Sequence, residues 1–267
     1  MAHPVGHVVF DEIAALYDDG SSYGGLSQVA HAEQAAMQAV EAGADDATVV
    51  AALLHDVGWK LASCAVLDSA GAAATAAGTQ RHVDARDNDV ADACAPDASC
   101  LASQLGILAT CGVEGATTEQ VRAQHDVIGA TFLRMRGFCE TVPHLVEGHV
   151  LAKRYLCFAE AGYYDMLSPG SKRTLVFQGG PMNADEAALF QSDPLFDCSL
   201  KMRRWDELAK HAGLVVPRFC TYRDRVIRCL TADAVDAAHT RQHCAYIRQG
   251  NVITGLRGAA TEASGLP

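Results

Sequence analysis

The 267-residue sequence contains no uninterrupted apolar run approaching the roughly 18 residues that a helical membrane span needs. Its first twenty residues, MAHPVGHVVFDEIAALYDDG, lack a basic segment followed by an apolar one, so no secretory signal is expected. No CxxC pair or closely spaced cysteine ladder occurs: the cysteines at 64, 94, 100, 111, 139, 157, 198, 220, 229 and 244 are scattered. They read as mostly reduced thiols in a cytosol-like compartment, with a regulatory disulfide as the alternative. Positive charge is in deficit, with 21 Lys and Arg against 32 Asp and Glu for a net charge of −11. That balance argues against nucleic acid or an anionic membrane as a partner. A small anionic substrate stays open, because a pocket needs only a few local cations. Sustained β alternation is also scarce, so the expected class is all-α. The expectation is a soluble, cytoplasmic, helical protein, and nothing here fixes its oligomeric state.

What is present is helical patterning interrupted once. Residues 9–17 read as a short helix and DDGSSYGG as a loop. SQVAHAEQAAMQAVEAG is rich in Ala, Gln and Glu and stops at Gly43, and Asp45 or Asp46 can cap a second helix running through Val49–Leu54 to His55. Residues 62–104 change character, being rich in Ala, Asp and Gly with few large apolar groups, and mark an insertion that extends to about 117. TTEQVRAQHDVIGATFLRMRGF then reads as a helix capped by Thr118 and stopped at Gly137. PHLVEGHVLAKRYLCFAEAG reads as another, with Pro143 in its first turn and Gly162 at its end. A loop containing SPGSKRTLVFQGGP follows, then helical NADEAALFQSDP and SLKMRRWDELAKHAG. The expected organisation is one domain over 1–230 and an extension, 231–267, in which no function is legible.

Chemistry enters at AALLHDVGWK. A carboxylate beside a buried helical run is costly unless it is paired or bound to a cation. His31 precedes His55 by 24 residues, one on each arm of a helical hairpin, and His125 and His149 repeat the same separation on successive helices. Antiparallel arms can bring each pair to one level. With Asp56 and Asp206 the set comprises four imidazoles and two carboxylates, too many for one ordinary zinc site and suited to two iron or manganese ions bridged by a carboxylate. Asp56, about 100° round the helix from His55, is the candidate bridge.

HAEQAAMQAVEAGADDATVVAALLHDVGWK resembles the opening of an HD domain, the all-helical metal-binding fold named for its His-Asp doublet. Joined by HDVIGATFLRMRGF, VEGHVLAKRYLC, YYDMLSPGSKRTLVFQGGPM and MRRWDELAK, it resembles the PhnZ-type HD-domain mixed-valent di-iron oxygenases over residues 23–60 and 118 to about 225. The resemblance implies two iron ions (Fe2+/Fe3+) held by His31, His55, Asp56, His125, His149 and Asp206. It also implies dioxygen as co-substrate and a 1-hydroxyphosphonate cleaved at its carbon–phosphorus bond. By position it implies Lys153, Ser171, Thr174 and Arg203 as the cradle of the small anionic organophosphonate, and Tyr23 as a residue that occupies an iron until substrate displaces it. Gln178, Gly179 and Gly180 read instead as a turn.

Two departures bear on substrate. The family doublet usually continues His-Asp-x-Gly-His, with the last histidine in the substrate pocket; here Trp59 puts an apolar wall in that place, or fills core. Tyr23 stands eight residues ahead of His31, not ten, and the glutamate usual between them is missing. The missing glutamate points away from an amine-bearing substrate, and both departures favour a related oxygenase acting on a non-phosphonate polyol or acid. The alternatives are an oxygenase for another α-hydroxylated anion, an HD-type phosphohydrolase using metal-bound water, and a metal-stabilised scaffold with no chemistry.

Overall fold

Val49 to Leu54 are all 0% exposed. A helix apolar on every side belongs in the middle of a bundle, and the others are arranged around this one. The computed structural model describes residues 4–18, 22–23, 25–62, 106–112 and 117–230. The helices are α1 (Pro4–Tyr17), α2 (Gln28–Glu41), α3 (Asp46–Leu54), α4 (57–62), α5 (Ile107–Thr110), α6 (Thr118–Ala123) and α7 (His125–Met135). They continue as α8 (Thr141–Ala159), α9 (Tyr163–Met166), α10 (Pro169–Phe177), α11 (Ala184–Gln191), α12 (Phe196–Leu208) and α13 (Arg223–Arg228), after a 3-10 turn at Phe219–Tyr222. The extended backbone that the sequence did not suggest is a two-residue ribbon, β1 (Ser22–Tyr23) antiparallel to β2 (Leu26–Ser27). The class is all-α, as expected.

The first hairpin forms where the sequence places it. Ser27 caps α2 by accepting from Ala30 N at 3.1 Å, and Asp45 caps α3 by accepting from Thr48 N at 2.8 Å. Between them Gly43 takes φ 71°, and Ala44 N closes onto Ala39 O at 3.0 Å. α3 packs on α2 and α8, and α8 packs in turn on α7 and α12. The core between them holds Leu53, Leu54, Ile128, Phe132, Leu133 and Leu145, each worth about 1.5–3 kcal/mol in removal of apolar surface from water.

Three expectations need correcting. The segment 117–138 is two helices: the chain breaks at Gln124 (φ −98°, ψ 21°), and α6 is capped by Thr117 with Gln120 completing a capping box, in place of Thr118. The stretch expected as a loop after Leu167 is helical over α10, because Ser168 accepts from Ser171 N at 3.1 Å and Pro169 fills the first helical turn. The His55–Asp56 doublet sits in a turn between α3 and α4, not on one continuing helix. Most of the expected insertion, and the extension from 231, lie outside the described residues; Ile107, within the expected insertion, is buried in the main core.

One buried ion pair off the site gives a pH-dependent term. His144 Nε2 meets Asp193 Oδ2 at 2.7 Å. Burial pulls the imidazole pKa down, but the hydrogen bond and charge of Asp193, with Glu147 and Glu140, raise it above 6.5. A histidine whose folded-state pKa is raised contributes its stability in full below 6.5 and loses it as pH rises through the folded value. Asp193→Asn should therefore destabilise the protein by about 1–3 kcal/mol under mildly acidic conditions, with the gap from wild type narrowing as pH rises. Chemical denaturation across pH tests this, and a gap that widened with pH would refute it.

Candidate metal centre

α2 delivers His31 from its first turn, and the same helix is keyed to the end of α12 and the segment after it. Gln34 Nε2 donates to His211 O at 2.8 Å while its Oε1 accepts from His211 N at 3.0 Å, and Gln38 Nε2 donates to Trp205 O at 3.3 Å. α3 ends at His55, and the turn after it presents Asp56. His125 opens α7, His149 lies mid-way along α8, and Asp206 lies on α12. All six of these side chains converge.

They converge as two triplets. His31, His55 and Asp206 form one and Asp56, His125 and His149 the other, and within each triplet the donor atoms lie within 4.8 Å of one another. Asp56 joins them, with its Oδ2 facing His55 Nε2 at 3.5 Å and His31 Nε2 at 3.8 Å, and its Oδ1 facing His125 Nε2 at 3.4 Å. Asp206 Oδ1 lies 3.2 Å from His31 Nε2 and 3.9 Å from His55 Nε2.

The tautomers follow from the other ring nitrogens. His31 Nδ1 contacts Ala209 O at 2.7 Å, His55 Nδ1 Ala52 O at 2.9 Å, His125 Nδ1 Arg122 O at 2.9 Å and His149 Nδ1 Val146 O at 2.6 Å. A carbonyl only accepts, so each Nδ1 carries the hydrogen and each neutral ring turns an Nε2 lone pair inward. Yet Nε2 of His31 and His55 are 3.1 Å apart, and those of His125 and His149 are 3.0 Å apart. Facing lone pairs at that range repel unless a cation lies between them. The buried donors, four imidazoles and two carboxylates without a thiolate, fit a divalent or trivalent transition ion in each triplet.

Charge agrees. Burial lowers the pKa of His125, and lowers that of His149 further with help from His125 and His55, so both rings favour the neutral, ligating form. Burial alone would raise Asp56, but attraction to the imidazoles of His55, His125 and His31 in their protonated forms holds it below the usual carboxylate range. Asp126, next along the helix from His125, belongs to neither triplet, and burial pushes it up to about 7.

Two cations border the triplets. Lys153, one turn after His149, is 3% exposed and donates to Thr174 Oγ1 at 3.2 Å. Burial, then the like charge of Arg203, pulls its pKa down to about 7. Arg203, also 3% exposed, donates from Nε to Tyr163 Oη at 3.0 Å and to Glu207 Oε1 at 3.2 Å, and from Nη1 to Asp206 Oδ2. Its Nη2 is buried with no hydrogen-bond partner among the described residues. Tyr163 and Glu207 thus fix Arg203, a role the sequence reading missed; Glu207, four residues after Arg203 on one helix face, was detectable as an i,i+4 pair, whereas Tyr163, 40 residues away, was not.

The remaining candidates fall in three places. Thr174 faces Lys153, while Ser171 accepts from Ser168 Oγ at 3.1 Å in the cap of α10. Trp59, half-buried, sets its ring edge-on to His125 with centroids 5.9 Å apart, so it is a wall of the site. Tyr23 lies in β1, and its side chain is outside the described residues. Gln178 caps α10, and its Nε2 donates to Ala123 O at 2.7 Å, tying α10 to α6.

Among known proteins, no family model matches the chain. It is similar to the uncharacterized protein L432 of Acanthamoeba polyphaga mimivirus, 29% identical over 223 residues that cover 82% of this chain and 80% of that one. It is also similar to hydroxymethylphosphonate dioxygenase of Gimesia maris, 40% identical over 107 residues (40% of this chain, 53% of the relative). A third relative is [1-hydroxy-2-(trimethylamino)ethyl]phosphonate dioxygenase (glycine-betaine-forming) of Leisingera caerulea, 36% identical over 104 residues (39% and 53%). The chain thus spans about half the length of each of the two named dioxygenases. Among the described residues no helix is long and apolar enough to cross a membrane.

Proposed function

We propose that the chain is an HD-domain di-iron oxygenase that cleaves the carbon–phosphorus bond of a 1-hydroxyphosphonate, with His31, His55 and Asp206 holding one iron and Asp56, His125 and His149 the other. The observation that carries this reading is the split carboxylate of Asp56, one oxygen toward each triplet. The similarity to two phosphonate dioxygenases supports it. The domain spans 1–230 in this reading, with 231–267 an extension.

The overall conversion takes a 1-hydroxyphosphonic acid and one O2 to a carboxylic acid and phosphoric acid, in which the carbon–phosphorus bond breaks, C1 is oxidised, and both oxygen atoms enter the products. No outside reductant is required. The electrons that reduce dioxygen come from the substrate, and the iron pair would supply the redox chemistry that passes them on. The protein's part is to hold the anion: Lys153 Nζ and Arg203 Nη2 present donors to a dianionic phosphonate, Thr174, whose hydroxyl donates to Ser171 O at 3.1 Å, positions Lys153, and Ser171 lies at the rim. Arg203 already pairs with Asp206 and Glu207, so the donor left for an added anion among the described residues is its Nη2. Trp59 walls the pocket, and Tyr23 would occupy the substrate's place at the metal pair until substrate displaces it.

The test is phosphate release from 1-hydroxyphosphonates by iron-loaded protein, in air and under argon. Release in air alone is the expected result; equal release under argon from phosphate esters would replace the reading with a phosphohydrolase, which could use the same two-metal site. Lys153→Met should weaken phosphonate binding about 10–100-fold with iron content unchanged, as titration calorimetry and metal analysis would show. Unaltered phosphonate affinity in that variant would remove Lys153 from the cradle.

A further inference from the structure

Six cysteines fall among the described residues, and the fold brings two of them together from 90 positions apart. Phe138 and Leu230 form an isolated antiparallel bridge, and one step along it Cys139 N donates to Cys229 O at 2.8 Å. Cys139 and Cys229 therefore stand opposite one another. Residues so paired have Cα atoms roughly 5.5 Å apart, inside the window of about 4.4–6.8 Å that a disulfide spans. Cys139 is half-buried and lies just before α8, whereas Cys229 is 4% exposed and caps the end of α13. Their side chains share a hydrogen bond, which pulls the Cys139 pKa down to about 7 and pushes that of Cys229 up. The amides of Val142 and Thr141, at the start of α8, also favour a thiolate on Cys139. A partly exposed thiolate with a thiol beside it is the arrangement of an attacking and a resolving cysteine. Neither residue belongs to the metal triplets.

We propose that Cys139 and Cys229 are a redox-active dithiol, which closes to a disulfide by exchange with a low-molecular-weight disulfide. The Cys139 thiolate attacks one sulfur of the small disulfide, forming a mixed disulfide and expelling one thiolate. Cys229 gives its proton to that thiolate and attacks Cys139 Sγ, and the second small thiolate leaves and takes up the proton Cys139 had lost. Two protein thiols are oxidised and one small disulfide is reduced to two thiols, so electrons and protons balance. The new bond joins the start of α8 to α13, which is itself held to the start of α3 by Arg225 and Arg228 on Asp46. α3 and α8 carry His55 and His149, so the bond braces two helices of the metal centre without touching a ligand. A loop this long, once closed, restricts the unfolded chain and so favours the folded one. The proposal stands apart from the phosphonate reading.

The experiment incubates the full-length, metal-loaded protein under argon with oxidised and reduced glutathione over a range of ratios. Free thiols are then blocked and the peptides mapped by mass spectrometry. The expected product is a peptide pair linked between Cys139 and Cys229, lost again in excess reduced glutathione. Its formation should raise the thermal midpoint by about 5–10 °C and leave bound iron unchanged. Cys229→Ala should stop at a glutathione adduct on Cys139, and Cys139→Ser should abolish the link and leave Cys229 a free thiol. The wild-type map decides the matter whether or not either variant folds. Absence of the Cys139–Cys229 link at every ratio overturns the proposal. So does a link that leaves the midpoint unchanged or lowers it, or a glutathione adduct that persists on wild-type Cys139, since Cys229 would then fail to resolve it.

Discussion

Asp56→Asn is expected to reduce bound iron from two equivalents per chain to one or fewer, and to cut oxygen-dependent phosphate release by about three orders of magnitude, the several kcal/mol a metal centre supplies. The side chains are nearly isosteric, so packing is little changed. What is lost is the negative charge and one of the two oxygens that face different triplets. Three imidazoles lie around this carboxylate and hold its pKa low against the opposing effect of burial; with a neutral amide there, nothing offsets the repulsion of two cations. Asp126→Asn is the control. Asp126 is as buried as the ligands, but it lies in neither triplet, and burial already pushes its pKa up to about 7. Its replacement should leave iron content intact. Metal analysis of the two purified variants decides the matter, and iron loss in Asp126→Asn with retention in Asp56→Asn would invert the assignment.

The six converging residues were legible because helices carry a ruler. Two His–His separations of 24 residues, each spanning a helical hairpin, bring the rings of each pair together at 3.0–3.1 Å between Nε2 atoms. A buried Asp beside one of those histidines announces a cation. Spacing could not say that α3 ends at His55, which turns Asp56 so that its two oxygens diverge. Nor could it say that α6 and α7 are separate, broken at Gln124 where the His125 ring donates back to Arg122 O. The locking of Arg203 by Tyr163 and the stacking of Arg122 on Trp59 join residues 40 and 63 positions apart; no local pattern records such contacts. The misread loop at 168–177 was an error of a different kind, since its Ser-Pro start is a helix-capping signal taken for a turn.

The second large effect is steric. Gly58 lies in α4, two residues after Asp56, and does not have a left-handed backbone, so glycine is not required there for its conformational freedom. In an exposed helix, glycine to alanine stabilises by about 1 kcal/mol. Here the sign should reverse. A Cβ on Gly58 would stand 1.8 Å from His125 O and 2.4 Å from Gly129 N, both backbone atoms that no rotamer change can move. α4 and α7 therefore cross backbone to backbone at Gly58 and Gly129, and this crossing sets Asp56 against His125 across the middle of the metal centre. Gly58→Ala must push the two helices apart, which should destabilise the protein by about 3–5 kcal/mol and widen the gap that Asp56 Oδ1 spans. Gly129→Ala is milder, since its Cβ would meet Gly58 N at 3.0 Å and Val57 Cγ1 at 3.1 Å, contacts that small shifts relieve at about 1–2 kcal/mol. Denaturant melts with iron counts should therefore rank Gly58→Ala well below Gly129→Ala in both stability and metal content. If Gly58→Ala proved as stable as wild type, the two helices would not touch at this point, and the apposition of Asp56 with His125 would need another cause.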